Sequence, residues 1–138
     1  MVFKNIFIDS DILLDIFLQR EPFYQYGQKL LNKGKNNEIK IYTSALIIAN
    51  IYYITVKALG KSEAKDIVNK LLKMLTVLPL EADSISLAMN SNFSDIEDAI
   101  QHFIAMRHEC EVIITRNLKH YKKSMVPVMS AEQYIRTI

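Results

Sequence analysis

The segment VFKNIFIDSDILLDIFL, residues 2–18, decides the fold. Residues 2–8 form an apolar run that is too short for a helix and ends in the acid Asp9, so a strand is expected there. A helical pattern then runs from Asp11 to Leu18, and the pair reads as a strand feeding a helix. The same alternation continues downstream. Further strands are expected at IKIYT (39–43), TVLPL (76–80), VIIT (112–115) and VPVM (126–129), most of them rich in β-branched residues. Helical patterns cover Ser44 to Leu59, closed by Gly60, then Ser62 to Leu75, Ala82 to Ser91 and Asp95 to Glu109, with a short one ending the chain. No element is assigned to residues 19–38. Ser94 with Glu97, and Ser130 with Gln133, carry capping-box spacing and are expected to open two of the helices.

Strands alternating with helices imply right-handed crossovers and a mainly parallel five-stranded sheet covered on both faces, a three-layer α/β/α domain. At 138 residues with half of them hydrophobic, the chain is expected to be one domain spanning 1–138. Such a chain buries roughly 68–70% of its unfolded surface and needs no disulfide or structural metal. Cys110 is the single cysteine, which rules out an internal disulfide or a zinc cluster built on thiolates. No segment approaches the run of about 18 apolar residues that spans a bilayer, and the N-terminus lacks a signal-peptide pattern, so a cytoplasmic protein with no membrane association is expected. Seventeen basic and fifteen acidic side chains leave a net charge of +2, too small by itself to diagnose a nucleic-acid partner.

Ligands of open parallel sheets gather at the carboxyl ends of the strands. That rule selects Asp9, Ser10 and Asp11, then Thr43 and Ser44, then Thr115, Arg116 and Asn117. Asp9 follows an almost wholly apolar run, so its carboxylate is either a binding group at the mouth of the core or a helix N-cap. Asp11 and Asp15 are expected to face solvent in the first turns, where acids complement the helix dipole. A second acidic cluster lies in SDIEDAIQHF, residues 94–103. Acids stabilise a helix start whatever else they do, yet Asp98 lies beyond the usual capping positions and shares a stripe with Asp95 and His102. A clustered acidic stripe is costly unless a cation neutralises it, and Mg2+ or Mn2+ takes hard oxygen ligands. The run RNLKHYKK, residues 116–123, is either a solvated loop or a grip for phosphates.

Taken together, FIDSDILLD, TSALIIANIYYI, DIEDAIQHFIAM and VIITRNLKHY resemble a PIN domain of the kind found in VapC-type toxins of bacterial toxin–antitoxin pairs. The match covers nearly the whole chain. The resemblance implies a metal-dependent endoribonuclease that hydrolyses RNA phosphodiester bonds, with Mg2+ or Mn2+ as cofactor. It also implies RNA as substrate, a homodimer, and a small antitoxin partner that would have to supply any operator binding. Asp9 matches the family's first acid, Asp98 the acid before Ala in the DxEDA segment, and Asp95 its leading acid. Those three are the metal candidates, while Asp9, Asp98, Asn117 and Asn50 are the catalytic candidates. Arg116, Lys119, Lys122 and Lys123 are the candidate RNA contacts, and Thr43, Ser44 and Thr115 are candidates for fixing the carboxylates.

The chain departs from the family pattern at Asn50, where Glu is usual, and at Asn117 and His120, where acids are common. A PIN domain that binds RNA or protein without cleaving is therefore the alternative. Phosphatases of the haloacid dehalogenase type fit less well, because their second acidic pair follows a strand and SNFSDIED follows a helix. A response-regulator receiver lacks its Asp after the third strand and its Lys after the fifth. If the basic run meets phosphates, neutralising Arg116, Lys119, Lys122 and Lys123 should weaken RNA binding across sequences and flatten its salt dependence. An unchanged slope of log affinity against log salt would return the run to a solvated loop.

Overall fold

The computed structural model describes residues 2–138. Its sheet has five strands, all parallel, in the order β3-β2-β1-β4-β5: β1 Asn5–Ile8, β2 Lys40–Ser44, β3 Thr76–Leu78, β4 Val112–Ile114 and β5 Val128–Met129. β1 lies at the centre, with Phe7 paired to Tyr42 on one side and to Ile113 on the other. Ile6, Phe7 and Ile8, like Val112, Ile113 and Ile114, are completely buried, as expected of strands covered on both faces. Pro79 closes β3 earlier than the apolar run suggested, since proline cannot donate to a ladder.

Seven helices flank the sheet among the described residues: α1 Ser10–Phe17, α2 Tyr24–Lys35, α3 Ala45–Leu59, α4 Lys61–Met74, α5 Ala82–Met89, α6 Ile96–Arg107 and α7 Ala131–Ile135. A 3₁₀ turn, η1, spans Leu118–Tyr121. α1 packs on α2, α3 on α4, and α2 on α7, whereas α5 and α6 pair with each other. The chain steps outward from β1 to β2 to β3 and then returns past β1 to β4. With right-handed crossovers, the helices that make that return, α5 and α6, lie on the opposite face from α1 to α4, which precede it. The gap between β1 and β4 is thus the point where the winding reverses, and it opens a crevice above their carboxyl ends. Asp9 and Thr115 are the first residues beyond those two strands. None of the described helices is long and apolar enough to cross a membrane.

Two expectations about local structure need correction. Helix α2 fills residues to which no element had been assigned. Its buried stripe, Gly27, Leu30 and Leu31, contains a glycine where an apolar side chain would have marked the period. A Cβ at Gly27 would stand 2.7 Å from Ile16 Cγ1, and one at Gly34 the same distance from Ile41 Cδ1. Glycine therefore permits the close approach and also erases the hydrophobic signal. At α6 the cap is Asp95 and not Ser94: the Asp95 carboxylate accepts from the Asp98 amide at 2.9 Å. Asp caps as well as Ser, and the frame moves by one residue. At α7 the Ser130–Gln133 capping box forms in full.

Because α1 and α2 touch through Gly27, Gly27→Val should force them apart. Overpacking of this kind costs roughly 1–3 kcal/mol, so urea unfolding should show a lower midpoint with an unchanged slope. An equal midpoint would mean that the two helices have slack at this crossing.

Candidate functional site

Asp9 sits at the carboxyl end of β1 and is 3% exposed. Its backbone amide still belongs to the sheet, donating to Ile114 at 3.0 Å, while its side chain caps α1 through the Ser10 amide at 2.8 Å. The other carboxylate oxygen accepts from Thr115 Oγ1 at 3.0 Å and from Tyr121 Oη at 3.1 Å. Both readings left open for this residue therefore coexist: it is an N-cap and also a buried carboxylate in the crevice. Burial raises its pKa against the opposing pull of these three donors, and the charge of Asp95 adds to the rise. The Tyr121 hydroxyl is pushed upward by burial and by Asp9, so it stays protonated and remains a donor.

Asp98 opens α6 on the other side of the crevice. Its carboxylate lies 2.8 Å from His120 Nδ1. Burial first and the charge of Asp9 second raise its pKa to about 6. His120 and Tyr121 are consecutive, so the single 3₁₀ turn η1 reaches both acids, Tyr121 to Asp9 and His120 to Asp98. Ligand atoms of Asp95, Asp98 and His120 all lie within 4.8 Å of one another, close enough to share one cation. Two carboxylates and an imidazole form a donor set suited to Mn2+, with Mg2+ favouring the carboxylates. Asp9 lies outside this group of three and acts on it through its charge.

Asp11 and Asp15 do not face solvent as expected. Asp11 accepts from the Arg116 amide at 2.9 Å and lies 3.3 Å from Thr115 Oγ1, while its second oxygen is buried without a partner. Desolvation and then the charge of Asp9 raise its pKa to about 7. Thr115 has one hydroxyl proton for two carboxylates, so it serves Asp9 or Asp11 but not both at once. Asp15 is 1% exposed and is gripped by the Arg116 guanidinium: Nη2 hydrogen-bonds Oδ1 at 2.8 Å, and Nε lies 2.8 Å from Oδ2 in a charge contact without hydrogen-bond alignment. The amphipathic pattern places Asp15 on the outside, and Arg116, 101 residues away, with Arg20 at 3.8 Å as a weaker second cation, explains why it is inside.

The other candidate residues divide. The Asn117 backbone N–H, not its side chain, donates to Thr115 Oγ1 at 3.0 Å and orients that hydroxyl. Asn50 donates to Glu97 Oε1 at 2.7 Å, so an acid of the second cluster meets the position where the family usually carries its own. Thr43 donates to the Ile8 carbonyl and Ser44 to Gln101, while Ser44 also caps α3; both tie elements together and neither touches Asp9 or Asp98. His102 is buried and accepts the Met125 amide at Nε2; burial pushes its pKa down to about 4, so it is a neutral structural imidazole. Lys119, Lys122 and Lys123 are exposed and take part in no ion pair among the described residues, whereas Arg116 is committed to Asp15. The contacts of Tyr121 and Glu97 leave no signal in the sequence, because an aromatic after a strand and an acid in a first turn both have ordinary structural explanations.

Comparison with known proteins gives consistent results. A family model described as PIN domain matches residues 5–119. The chain is 23% identical over 136 residues to "Ribonuclease VapC1" of Aquifex aeolicus (strain VF5), covering 95% of this chain and 93% of that protein. Among solved structures, the fold is similar to DNA-bound VapBC from Salmonella typhimurium, with a TM-score of 0.69 at 15% identity, covering 93% of this chain and 98% of that one. It is also similar to a toxin–antitoxin complex from Klebsiella pneumoniae, with a TM-score of 0.68 at 18% identity, covering 91% and 97%.

The raised acids fix the sign of a pH effect. Between the ordinary Asp value of 3.8 and about 6, folded Asp98 holds a proton that the unfolded chain has lost. Its stabilising contribution is therefore complete below the unfolded value and is lost as pH rises through the folded one. In metal-free buffer, Asp98→Asn should gain stability relative to wild type as pH rises from about 4 to about 7. Thermal melts across that range test this, and a constant difference would show that Asp98 titrates normally.

Proposed function

The chain belongs to the PIN domain family, and on that premise we propose that it is a divalent-metal-dependent endoribonuclease, the toxin of a toxin–antitoxin pair. The observation that carries this reading is the pairing of two acids from distant elements, Asp9 and Asp98, by consecutive residues of one 3₁₀ turn, Tyr121 and His120. Asp95, Asp98 and His120 would hold Mg2+ or Mn2+, with Asp9 beside them, and these donors suit such an ion. A divalent ion bound there polarises a phosphoryl oxygen and lowers the pKa of a water.

The protein's own groups have separate roles. Tyr121 and Thr115 hold the Asp9 carboxylate in one orientation, and Asn117 directs Thr115. The Asn117 side chain, exposed at the crevice rim, orients water or phosphate. Lys119, Lys122 and Lys123 meet the RNA backbone as mobile point charges, whereas the Arg116 guanidinium serves mainly to lock the loop to α1. Asn50 holds Glu97 at the edge of the acidic centre. The curated relative is named a ribonuclease, and the structural neighbours include toxin–antitoxin complexes, which supports an antitoxin partner here. A homodimer and a cytoplasmic location belong to the same proposal.

His120 on Asp98 favours a second reading, a domain that binds RNA or protein without cleaving. An imidazole bonded to that carboxylate competes with a cation for it. Incubation with mixed RNAs and Mg2+ or Mn2+, with and without chelator, separates the two. A nuclease cleaves only with metal, and Asp98→Asn loses at least the roughly 10–100-fold that even outer-shell partners cost. Asp9→Asn should behave likewise. RNA binding without chelator-sensitive cleavage establishes the second reading.

A further inference from the structure

We infer that the cavity between α1, α2 and the start of α7 is a subsite for one nucleobase of the RNA, next to the cleaved bond. The inference rests on the ribonuclease reading and adds to it a place where base identity is sensed. The cavity holds about 390 Å3, and its walls include Ile12, Phe23, Tyr26, Arg116, Ser130 and Glu132. That volume is within the range of small-molecule sites and exceeds what a single base needs.

Its position follows from the acidic centre. Ile12 is next in sequence to Asp11, and Arg116 to Thr115. Thr115 touches both Asp9 and Asp11, and the Arg116 amide touches Asp11. The cavity therefore begins one residue from Asp11 on α1 and one residue from Thr115, which contacts Asp9 and Asp11, beyond β4, so a nucleotide flanking a phosphate at Asp9 has its base within reach.

The chemistry of the walls suits a flat, uncharged ring better than a phosphate. Arg116 lies 4.1 Å above the centre of the Phe23 ring and is already neutralised by Asp15. It thus provides a planar surface with no unmet charge. Phe23 is 40% exposed although it is large and apolar, and Tyr26 lies beside it in the wall. Aromatic and guanidinium planes are the usual platforms for unstacked bases of single strands. Ser130 Oγ accepts the Gln133 amide and Glu132 Oε2 is held by Arg136, which leaves the Ser130 hydroxyl proton and the second Glu132 oxygen to favour one base edge over another. A division of labour results: the lysines of residues 119–123 take the backbone, and this cavity takes a base.

The test uses the full chain in metal-free buffer with short fluorescein-labelled oligoadenylate, oligocytidylate and oligouridylate, titrated at several salt concentrations. Phe23→Ala should weaken the tightest of the three by roughly 5-fold or more, the loss of one base stack. It should narrow the spread among the three and leave the salt slope unaltered, whereas neutralising the lysines changes the slope. Because the chain has no tryptophan, Phe23→Trp places a single indole in the wall. Its emission should be quenched by the oligonucleotides and not by an abasic strand of equal length. Unchanged affinities in Phe23→Ala, or an indole indifferent to bases, overturns the subsite while leaving the nuclease reading intact. An indole that responds to a co-purified protein partner and not to RNA assigns the cavity to that partner and also overturns the inference. A wild-type protein that neither binds nor cuts RNA sinks the ribonuclease reading, and the subsite with it.

Discussion

The site depends on the cost of crowding carboxylates where water is scarce. Asp9 must leave solvent because it ends the central strand, and Asp11, Asp95 and Asp98 come close because two helices start beside that strand end. A buried carboxylate without donors is expensive, and like charges nearby make it more so. The segment from Thr115 to Tyr121 supplies most of the relief. Thr115 and Tyr121 donate to Asp9, the Arg116 amide to Asp11, its guanidinium to Asp15, and His120 meets Asp98. Relief is incomplete, since Asp11 and Asp98 remain protonated well above the ordinary Asp range and one Asp11 oxygen has no partner. The unpaid remainder is what a cation would neutralise.

The same segment shows how one run of basic residues can serve two purposes. Arg116 turns inward, where a rigid fork suits the buried Asp15 carboxylate, and its far face covers Phe23. The lysines that follow are exposed and take part in no ion pair among the described residues. A net charge of +2 conceals this arrangement, because it sums the whole chain and says nothing of where the charges lie. A polyanion would be met by that distribution and not by the total.

Much of this was legible in the sequence. Apolar runs of strand length placed all five strands, and Gly60, at φ 93°, closed α3 as expected. The strand-end rule selects Asp9, Thr115 and Arg116 from local pattern alone. Two kinds of feature were hidden. Close helix packing through Gly27 removes the side chain that would have revealed α2. Long-range pairing is also absent from local pattern: Asp15 looks like a solvent-facing acid until Arg116 arrives from 101 residues away, and His120 looks like an ordinary loop histidine until Asp98 meets it. Buried charges usually need partners, and a sequence can show each member of such a pair and still not show the pair.

Burial and mutual charge hold these acids in a protonation state that a divalent cation would reverse. Carboxyl carbon NMR of the isotope-labelled protein, titrated in pH with and without Mg2+, measures this directly. Asp98 should titrate near about 6 without metal and move below the ordinary Asp range when Mg2+ is present. A titration curve for Asp98 that Mg2+ leaves in place would contradict the account.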